Sequence, residues 1–334
     1  MKESLIFAGI IAFNVVFWVL LVLLIYKRSK KRRTQAGAAP HKANFAANAH
    51  PVNILDREQL DPILERIAEN TRCDSLRATL LAEPLPGLFS SKIGGLPYWD
   101  PSKPYPTDSQ GEKLALLAQI DLSTLPETDE LPREGLLQFF VLPDDVYGMN
   151  SDAPEVQEGF RVVYHATVDR SITEDTVRAM DIPTSFTCDD QLPVCGEFAL
   201  RFSKESVHIG YDDYRFEREL DRAARECGLS ELDSSAVLNT LLKYDAYSEW
   251  FGGNEGTRIL GYPSFTQDDP RPMDSPCDTL LFQLDSYFAS NAHPASSPDR
   301  NVMWGDSGIG NFFIRKEDLA EKRFDRVYYT WDCY

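Results

Sequence analysis

Three short motifs occur twice along this 334-residue chain, in the same order and with nearly the same spacing. The paired segments are 93–99 with 259–265, 116–121 with 280–285, and 135–141 with 308–314. Self-similarity of this kind is typical of a duplicated structural unit. It predicts two similar half-domains related by a pseudo-two-fold axis. The alternative is that strands and turns resemble one another by chance in a β-rich chain.

Local patterns place strands and helices along the two copies. Short apolar runs bounded by Pro and Gly predict strands at 114–120, 136–142, 161–167 and 197–202. Helical periodicity predicts helices from Pro62 onward, with Asp61 as the N-cap, and at 76–81, 216–227 and 234–244. Helices interspersed among short strands indicate the α+β class.

The predicted fold is therefore α+β: two similar β-rich half-domains from an internal duplication, with flanking helices, preceded by one transmembrane helix. The half-repeats are about 85–203 and 250–334, and a helical connection at about 212–246 joins them. In this division, residues 1–33 are a membrane anchor with a basic flank, 34–50 a flexible tether and 51–334 the folded domain.

Leu5–Tyr26 is an apolar run of 22 residues, and a helix of that length crosses a hydrocarbon core of about 30 Å. The segment Lys27–Arg33 follows at once and is strongly basic. By the positive-inside rule, the C-terminal domain then lies in the cytoplasm and the N-terminus outside. A cleaved signal peptide fits less well, because its basic residues precede the apolar run. We expect a single-pass protein of the cell inner (plasma) membrane, in contact with the lipid bilayer through residues 5–26.

The formal net charge of −18 is unevenly distributed. Residues 1–50 hold eight basic residues and one acidic residue, a balance of +7, so residues 51–334 carry −25. A body this acidic repels phosphate backbones, which argues against nucleic acid as a partner. We interpret the charge as a solvated surface that keeps the protein soluble. An acidic groove for a basic partner is the alternative.

Six cysteines are scattered along the chain: Cys73, Cys188, Cys195, Cys227, Cys277 and Cys333. They form no C-x-x-C pair and have no histidine at zinc-ligand spacing, so neither a metal nor another cofactor is expected. Unpatterned cysteines in a chain of this length are typical of a reducing compartment. That compartment agrees with the cytoplasmic topology.

Several longer motifs resemble a known family. They are Lys92–Tyr98, Leu116–Asp121, Gly135–Phe140, Gly261–Arg271, Met303–Gly308 and the terminal Trp331-Asp332-Cys333. Together they look like the YwqG-like family, a domain of unknown function common in bacteria, over roughly residues 85–334. The resemblance implies no catalytic residues, because the family has no established activity, although some members are suspected of immunity or toxin-neutralising roles. The N-terminal span looks like an addition to the common domain.

Candidate site residues come from polar loops of the second copy and from two glutamines on predicted interior strands. They are Trp304, Asp306, Ser307, Asn311, Asn254, Asp269, Arg271, Gln119 and Gln283. Buried glutamine amides must be hydrogen-bonded. Gln119 and Gln283, expected near the pseudo-two-fold axis, are therefore predicted to brace loops across the interface between the halves or to touch a ligand.

Two local patterns allow sharper interpretations. Gly305–Gly308 spells the Gly-Asp-Ser-Gly of a trypsin-like nucleophile loop, but that chemistry needs an oriented histidine base, and no histidine has the matching sequence context. A tight turn is favoured instead. Oxygen ligands from Asp268, Asp269 and Asp306 are a weak case for a metal. An Arg271–carboxylate pair that holds the loop is favoured over it.

The main functional hypothesis is a membrane-tethered cytoplasmic binding or interaction protein of unknown biochemical activity, which neutralises or binds a protein partner. The alternative is an uncharacterised, hydrolase-like enzyme with its site between the two half-domains, built from Asp306, Asn311, Asn254, Asp269 and Arg271. A concave pocket in which these groups converge beside a perturbed carboxylate would favour the enzyme.

Overall fold

The computed structural model describes residues 55–81, 83–186, 191–229, 234–244, 246–287 and 301–334. Its strands are β1 (Cys73–Leu81), β2 (Lys92–Gly94), β3 (Ala115–Asp121), β4 (Leu136–Val141), β5 (Phe160–His165), β6 (Val194–Cys195), β7 (Glu197–Val207), β8 (Arg258–Ile259), β9 (Thr279–Asp285), β10 (Asn301–Val302), β11 (Ile309–Ile314) and β12 (Val327–Asp332). Its helices are α1 (Arg57–Thr71), α2 (Glu174–Arg178), α3 (Phe216–Glu226), α4 (Ser234–Lys243), α5 (Tyr247–Phe251) and α6 (Lys316–Ala320).

Ten of the described strands form one antiparallel sheet in the order β12-β11-β9-β8-β1-β7-β2-β3-β4-β5. We call β2, β3, β4 and β5 the first arm, and β8, β9, β11 and β12 the second arm. Strand β1 pairs with both β7 and β8, and β7 pairs with β2, so these two central strands join the arms. The predicted fold class is therefore wrong: the repeated segments are not two half-domains of an α+β fold but parts of one mainly antiparallel sheet.

The sheet curls so that the inner faces of the two arms pack against each other. The ring of Phe139 in the first arm lies 4.8 Å from that of Phe282 and 5.0 Å from that of Phe312 in the second. The side-chain amide of Gln157 links the edge strand β5 to the segment that precedes the other edge strand, β12. Its Oε1 accepts from the Val162 amide at 2.9 Å, and its Nε2 donates to the Phe324 carbonyl at 2.7 Å. Aromatic side chains thus fill the space between the arms.

Strands β4 and β11 are buried on both faces, which explains why each reads as a continuous apolar run instead of an alternating one. Their outer faces are covered by loops of their own arm. Trp99 packs edge-on against Phe140 at 5.9 Å in the first arm, and Phe265 stacks on Phe313 at 6.2 Å in the second.

Two helix predictions are wrong. Helix α1 begins at Arg57 and not at Pro62, because Asp56 and Gln59 form a capping box that starts it earlier and Pro62 is tolerated inside. Residues 76–81 are strand, not helix, because their burial alternates along β1. The predicted helices at 216–227 and 234–244 correspond to α3 and α4. With α1 and α5 these helices share a separate apolar cluster.

None of the helices within the described residues is long and apolar enough to cross a bilayer. The predicted span at Leu5–Tyr26, its basic flank and the tether lie outside the described residues.

Cys195 is disulfide-bonded, whereas Cys73, Cys227, Cys277 and Cys333 are free thiols. This disulfide is not expected from the cysteine spacing, which is typical of a reducing compartment, because disulfides are typical of oxidising compartments.

Candidate functional site

Gln119 holds the covering loop of the first arm against β3. Its Oε1 accepts from the Tyr98 amide at 2.9 Å and from Gln138 Nε2 at 2.8 Å. Its Nε2 donates to the carbonyls of Leu88 at 2.9 Å and Ser90 at 3.0 Å. The side chain is fully buried. Every hydrogen-bonding position of this amide is therefore used within the protein, and none is left for a ligand.

The same network ends at His165. The Nε2 atom of His165 lies 2.8 Å from Gln138 Oε1, and because an amide oxygen can only accept, this nitrogen carries the proton. Burial, with a further effect of Lys103, lowers the pKa of His165 to about 4. The imidazole is neutral near pH 7, and its environment makes it a structural group.

Gln283 repeats these contacts in the second arm. Its Oε1 accepts from the Ser264 amide at 2.8 Å, and its Nε2 donates to the carbonyls of Asn254 at 3.0 Å and Gly256 at 2.7 Å. Asn311 Nδ2 donates to the Ser264 carbonyl at 3.0 Å. Strands β8, β1, β7 and β2 separate β9 from β3. Each glutamine thus braces loops of its own arm. The predicted bracing of loops across an interface between the two copies is wrong, because each side chain bonds only groups of its own arm.

Each arm also buries one cation beside its glutamine. Lys92 Nζ donates to the carbonyls of Gly87 at 3.0 Å and Leu96 at 2.6 Å, and burial lowers the pKa of Lys92 to about 8. In the second arm, Arg258 Nη2 donates to the carbonyls of Gly253 at 2.6 Å and Glu255 at 2.7 Å. Burial lowers the pKa of Arg258 to about 10. These cations satisfy loop carbonyls and are not accessible to a ligand.

Asp269 and Arg271 form the ion pair that the sequence favoured. Arg271 Nε lies 3.0 Å from Asp269 Oδ1, and Nη2 lies 2.6 Å from Oδ2. The Arg271 guanidinium carbon also lies 3.8 Å from the centroid of the Phe313 ring. Its Nη1 donates to the Cys277 carbonyl at 3.0 Å, so the pair attaches the loop to the segment that enters β9.

A second pair of the same form lies beside the first. Arg215 Nε lies 2.8 Å from Asp213 Oδ1, and Nη2 lies 2.7 Å from Oδ2. Arg215 Nη1 donates to the Asp278 carbonyl at 3.0 Å. Asp213 also lies 3.5 Å from Arg271 Nη2, which couples the two pairs. Burial alone would raise the pKa of Asp213, but Arg215 and then Arg271 outweigh it and hold this pKa below its ordinary value.

The Gly305–Gly308 segment is a tight turn, as favoured from the sequence. The Gly308 amide donates to the Trp304 carbonyl at 2.8 Å, and Ser307 has a φ of 66°. Trp304 is buried on the inner face against Tyr147, with ring centroids 5.6 Å apart, while Asp306 is exposed. Of the described histidines, His165 bonds Gln138 and His208 a neighbouring carbonyl, so neither activates Ser307.

The predicted candidates therefore do not converge on one site. Asn254, Gln283 and Asn311 meet in the second-arm brace, and the ion pair of Asp269 and Arg271 is buried beside it. Gln119 belongs to the other arm, and Asp306 and Ser307 lie at the turn. Within the described residues, no three His, Cys, Asp or Glu side chains are placed to hold a metal.

A cleft that sequence reasoning missed opens at one rim of the sheet, with a volume of about 380 Å³. We call it the rim cleft. It is lined by Cys73, Asp74, Asp129, Glu130, Arg215, Leu260, Gly261, Tyr262, Asp278, Thr279, Lys316, Leu319 and Ala320. These residues come from the first-arm loop before β4, from β1, from the helical layer and from the second arm. No local motif marks the cleft because its lining is assembled from distant segments.

The groups inside the rim cleft are suited to binding more than to reaction. Burial, reinforced by Glu130, raises the pKa of the Cys73 thiol to about 11, and burial raises that of Tyr262 to about 12. Both are protonated near pH 7, and a protonated thiol is a poor nucleophile.

A larger cavity of about 520 Å³ lies beside Gly111 and Pro183. Its lysine, Lys113, already donates to backbone carbonyls at 2.9 and 3.0 Å.

A family model described as a domain of unknown function, DUF1963, matches residues 91–333. The chain belongs to this family. The DUF1963 region contains both arms and both glutamine braces, and it begins after β1. No curated protein matches the chain. The rim cleft extends across the start of the DUF1963 region, because Cys73 and Asp74 precede it and the remaining lining residues lie within it.

Proposed function

We propose that this chain is a membrane-tethered binding protein whose folded domain holds a protein partner in the rim cleft. The observation that carries the proposal is the cleft itself, in which both arms and the helical layer present one concave surface. Concave sites with an apolar interior and a few polar groups are the usual place for a ligand. Partners that insert a side chain into such a pocket gain most of their affinity there.

The chemistry of the lining supports binding over catalysis. The Cys73 thiol and the Tyr262 hydroxyl are protonated near pH 7, and Arg215 is engaged by Asp213. Histidine is absent from the described residues that line the rim cleft. The alternative of a hydrolase-like enzyme between the two copies has no such observation in its favour, because Phe139, Phe282 and other rings fill that space.

The partner can be tested with a photo-crosslinking amino acid placed at Thr279, inside the rim cleft, in the full-length chain expressed in its own cells. We expect one discrete crosslinked protein from Thr279. The matched control position is Gln110, which is exposed in a first-arm loop that does not line the cleft. The added substitution Ala320→Trp, at an exposed cleft position, should fill the cleft and remove the crosslink. Equal crosslinking from Gln110, or persistence with Ala320→Trp, would contradict the proposal.

We also propose that the domain is of the YwqG-like kind and that residues 5–26 attach it to the inner membrane with its body in the cytoplasm. Support comes from the apolar run and the basic residues that follow it. The disulfide at Cys195 points the other way, since cytoplasmic disulfides are rare. A direct measurement of topology is therefore needed.

Cys227 offers that measurement, because it is an exposed, free thiol. In a variant that keeps Cys227 and replaces the other free cysteines by serine, a membrane-impermeant maleimide should label intact cells poorly. Labelling should rise strongly after the membrane is permeabilised. Strong labelling of intact cells would place the domain on the outer side and would agree with the disulfide instead. Fractionation of the same cells shows whether the chain is membrane-bound.

A further inference from the structure

We propose that the rim cleft receives a cationic side chain, a lysine or an arginine, from the protein partner. This inference rests on the proposed function and adds the chemistry of the contact. Such side chains have two parts: an aliphatic stem that prefers apolar surface and a charged head that prefers water or carboxylate. The rim cleft offers a matching surface for each part.

The inner wall of the cleft suits the stem. Leu260 and Leu319 line it and are buried, so their side chains form a fixed apolar surface. Tyr262 also lines the cleft, with the Arg215 guanidinium carbon 5.3 Å from its ring centroid and its hydroxyl donating to the Thr71 carbonyl at 2.9 Å. The protonated Cys73 thiol adds another weakly polar group. A long methylene chain can pack here without leaving an unpaired polar atom.

Carboxylates at the mouth of the cleft suit the charged head. Asp74, Asp129, Glu130 and Asp278 line it, against the two cations Arg215 and Lys316. Two of the four acids have cationic neighbours already: Asp74 lies 2.7 Å from Lys204 and Asp129 lies 3.4 Å from Arg133.

Glu130 and Asp278 are the two acids left to meet an incoming charge. Asp278 Oδ1 accepts from the Thr279 hydroxyl at 3.1 Å. Burial raises the pKa of Glu130, with Lys316 acting in the opposite direction. Among the described residues, neither carboxylate lies in an ion pair with a cation. A bound lysine or arginine head would supply a cationic partner to a carboxylate that has none in an ion pair.

The lining fits an anionic ligand less well. Arg215 binds Asp213 through two nitrogens and the Asp278 carbonyl through the third, so its charge is already paired with a carboxylate. An anion would therefore find one available cation, Lys316, among four carboxylates. The charge of −25 on residues 51–334 also steers cations toward the domain and anions away from it.

The inference can be tested with the full chain in mild detergent and three small probes observed by ligand NMR. These are the Nα-acetyl methylamides of lysine, norleucine and glutamate. Lysine and norleucine share the same stem and differ in the charged head. We expect the lysine probe to bind several-fold more tightly than norleucine, and glutamate to bind least. Equal binding of lysine and norleucine, or preferred binding of glutamate, would overturn the inference.

Variants locate the contact. Glu130→Gln and Asp278→Asn should each weaken lysine binding roughly threefold, the range of a partly exposed ion pair. Glu112→Gln is the matched control, at an exposed position outside the rim cleft, and should leave binding unchanged. If Glu130→Gln and Asp278→Asn bind the lysine probe like the unsubstituted chain, the inference is wrong.

The test separates this inference from the proposed function. If Thr279 still crosslinks to a partner while no lysine probe binds, the proposed protein binding is supported and the inferred contact with a cationic side chain is wrong. If the crosslink also fails, both fall.

Discussion

Replacement of Asp213 by alanine is expected to lower the free energy of unfolding by about 3–5 kcal/mol, because removal of one partner leaves buried charge uncompensated. The side chain of Asp213 is fully buried. Its two carboxylate oxygens bond Arg215, and one of them also lies 3.5 Å from Arg271 Nη2. Arg271 keeps its ion pair with Asp269, so most of the lost stability comes from the unpaired charge of Arg215. Urea unfolding of the full chain, followed by tryptophan fluorescence, measures the change.

Two further variants show whether charge or shape matters at this position. Asp213→Asn keeps the size of the side chain and can still accept from Arg215, so it should cost less than alanine. Asp145→Ala removes an exposed carboxylate in the β4–β5 loop and should change the free energy by less than about 0.5 kcal/mol. An Asp213→Ala variant no less stable than Asp145→Ala would show that the paired arginines do not hold the fold together.

The pH dependence of the same variant has a defined sign. The pKa of Asp213 is lowered from its ordinary value of 3.8 in the folded state. A carboxyl of this kind contributes stability above its unfolded pKa and loses it as pH falls through the folded pKa. The difference between the original chain and Asp213→Ala should therefore be constant near neutral pH and shrink below about pH 4. A difference that grows with acid would contradict this account.

These ion pairs show what a sequence can and cannot reveal. The Asp269–Arg271 pair follows from its spacing, because two residues so close in the chain are within reach of each other wherever the loop lies. The second pair has the same spacing at Asp213 and Arg215. Nothing local indicates that it sits beside the first, because the helical layer brings it there. The rim cleft, whose lining comes from distant segments, was missed for the same reason.

The repeat is informative in a similarly limited way. It identifies strands β3, β4, β9 and β11, because their apolar runs are long and bounded by turn residues. It also places Gln119 and Gln283 at like positions on interior strands. How the copies join depends on β1 and β7, which lie outside the repeated motifs. Pairing between these two strands turns the expected half-domains into arms of one sheet. The helix predicted at 76–81 is wrong because buried and exposed residues alternate there, as in a strand.

Replacement of Gln119 by leucine is expected to cost about 3–5 kcal/mol, because several buried groups lose their partner and each such loss costs roughly 1–3 kcal/mol. Leucine nearly matches glutamine in size, so the change removes hydrogen bonds without opening a large cavity. The Tyr98 amide, the carbonyls of Leu88 and Ser90, and the Gln138 amide are the groups affected.

Gln283→Leu is the comparison within the same molecule. Gln283→Leu removes three hydrogen bonds, to Ser264, Asn254 and Gly256, whereas Gln119→Leu removes four. It should therefore lower the free energy of unfolding somewhat less than Gln119→Leu does. Gln110→Leu makes the same chemical change at an exposed position, where water satisfies the amide, and should be nearly neutral. Equal costs for the buried and exposed variants would refute the bracing role. A large cost for Gln119 alone would show that the second arm, although it repeats the contacts, does not depend on its glutamine.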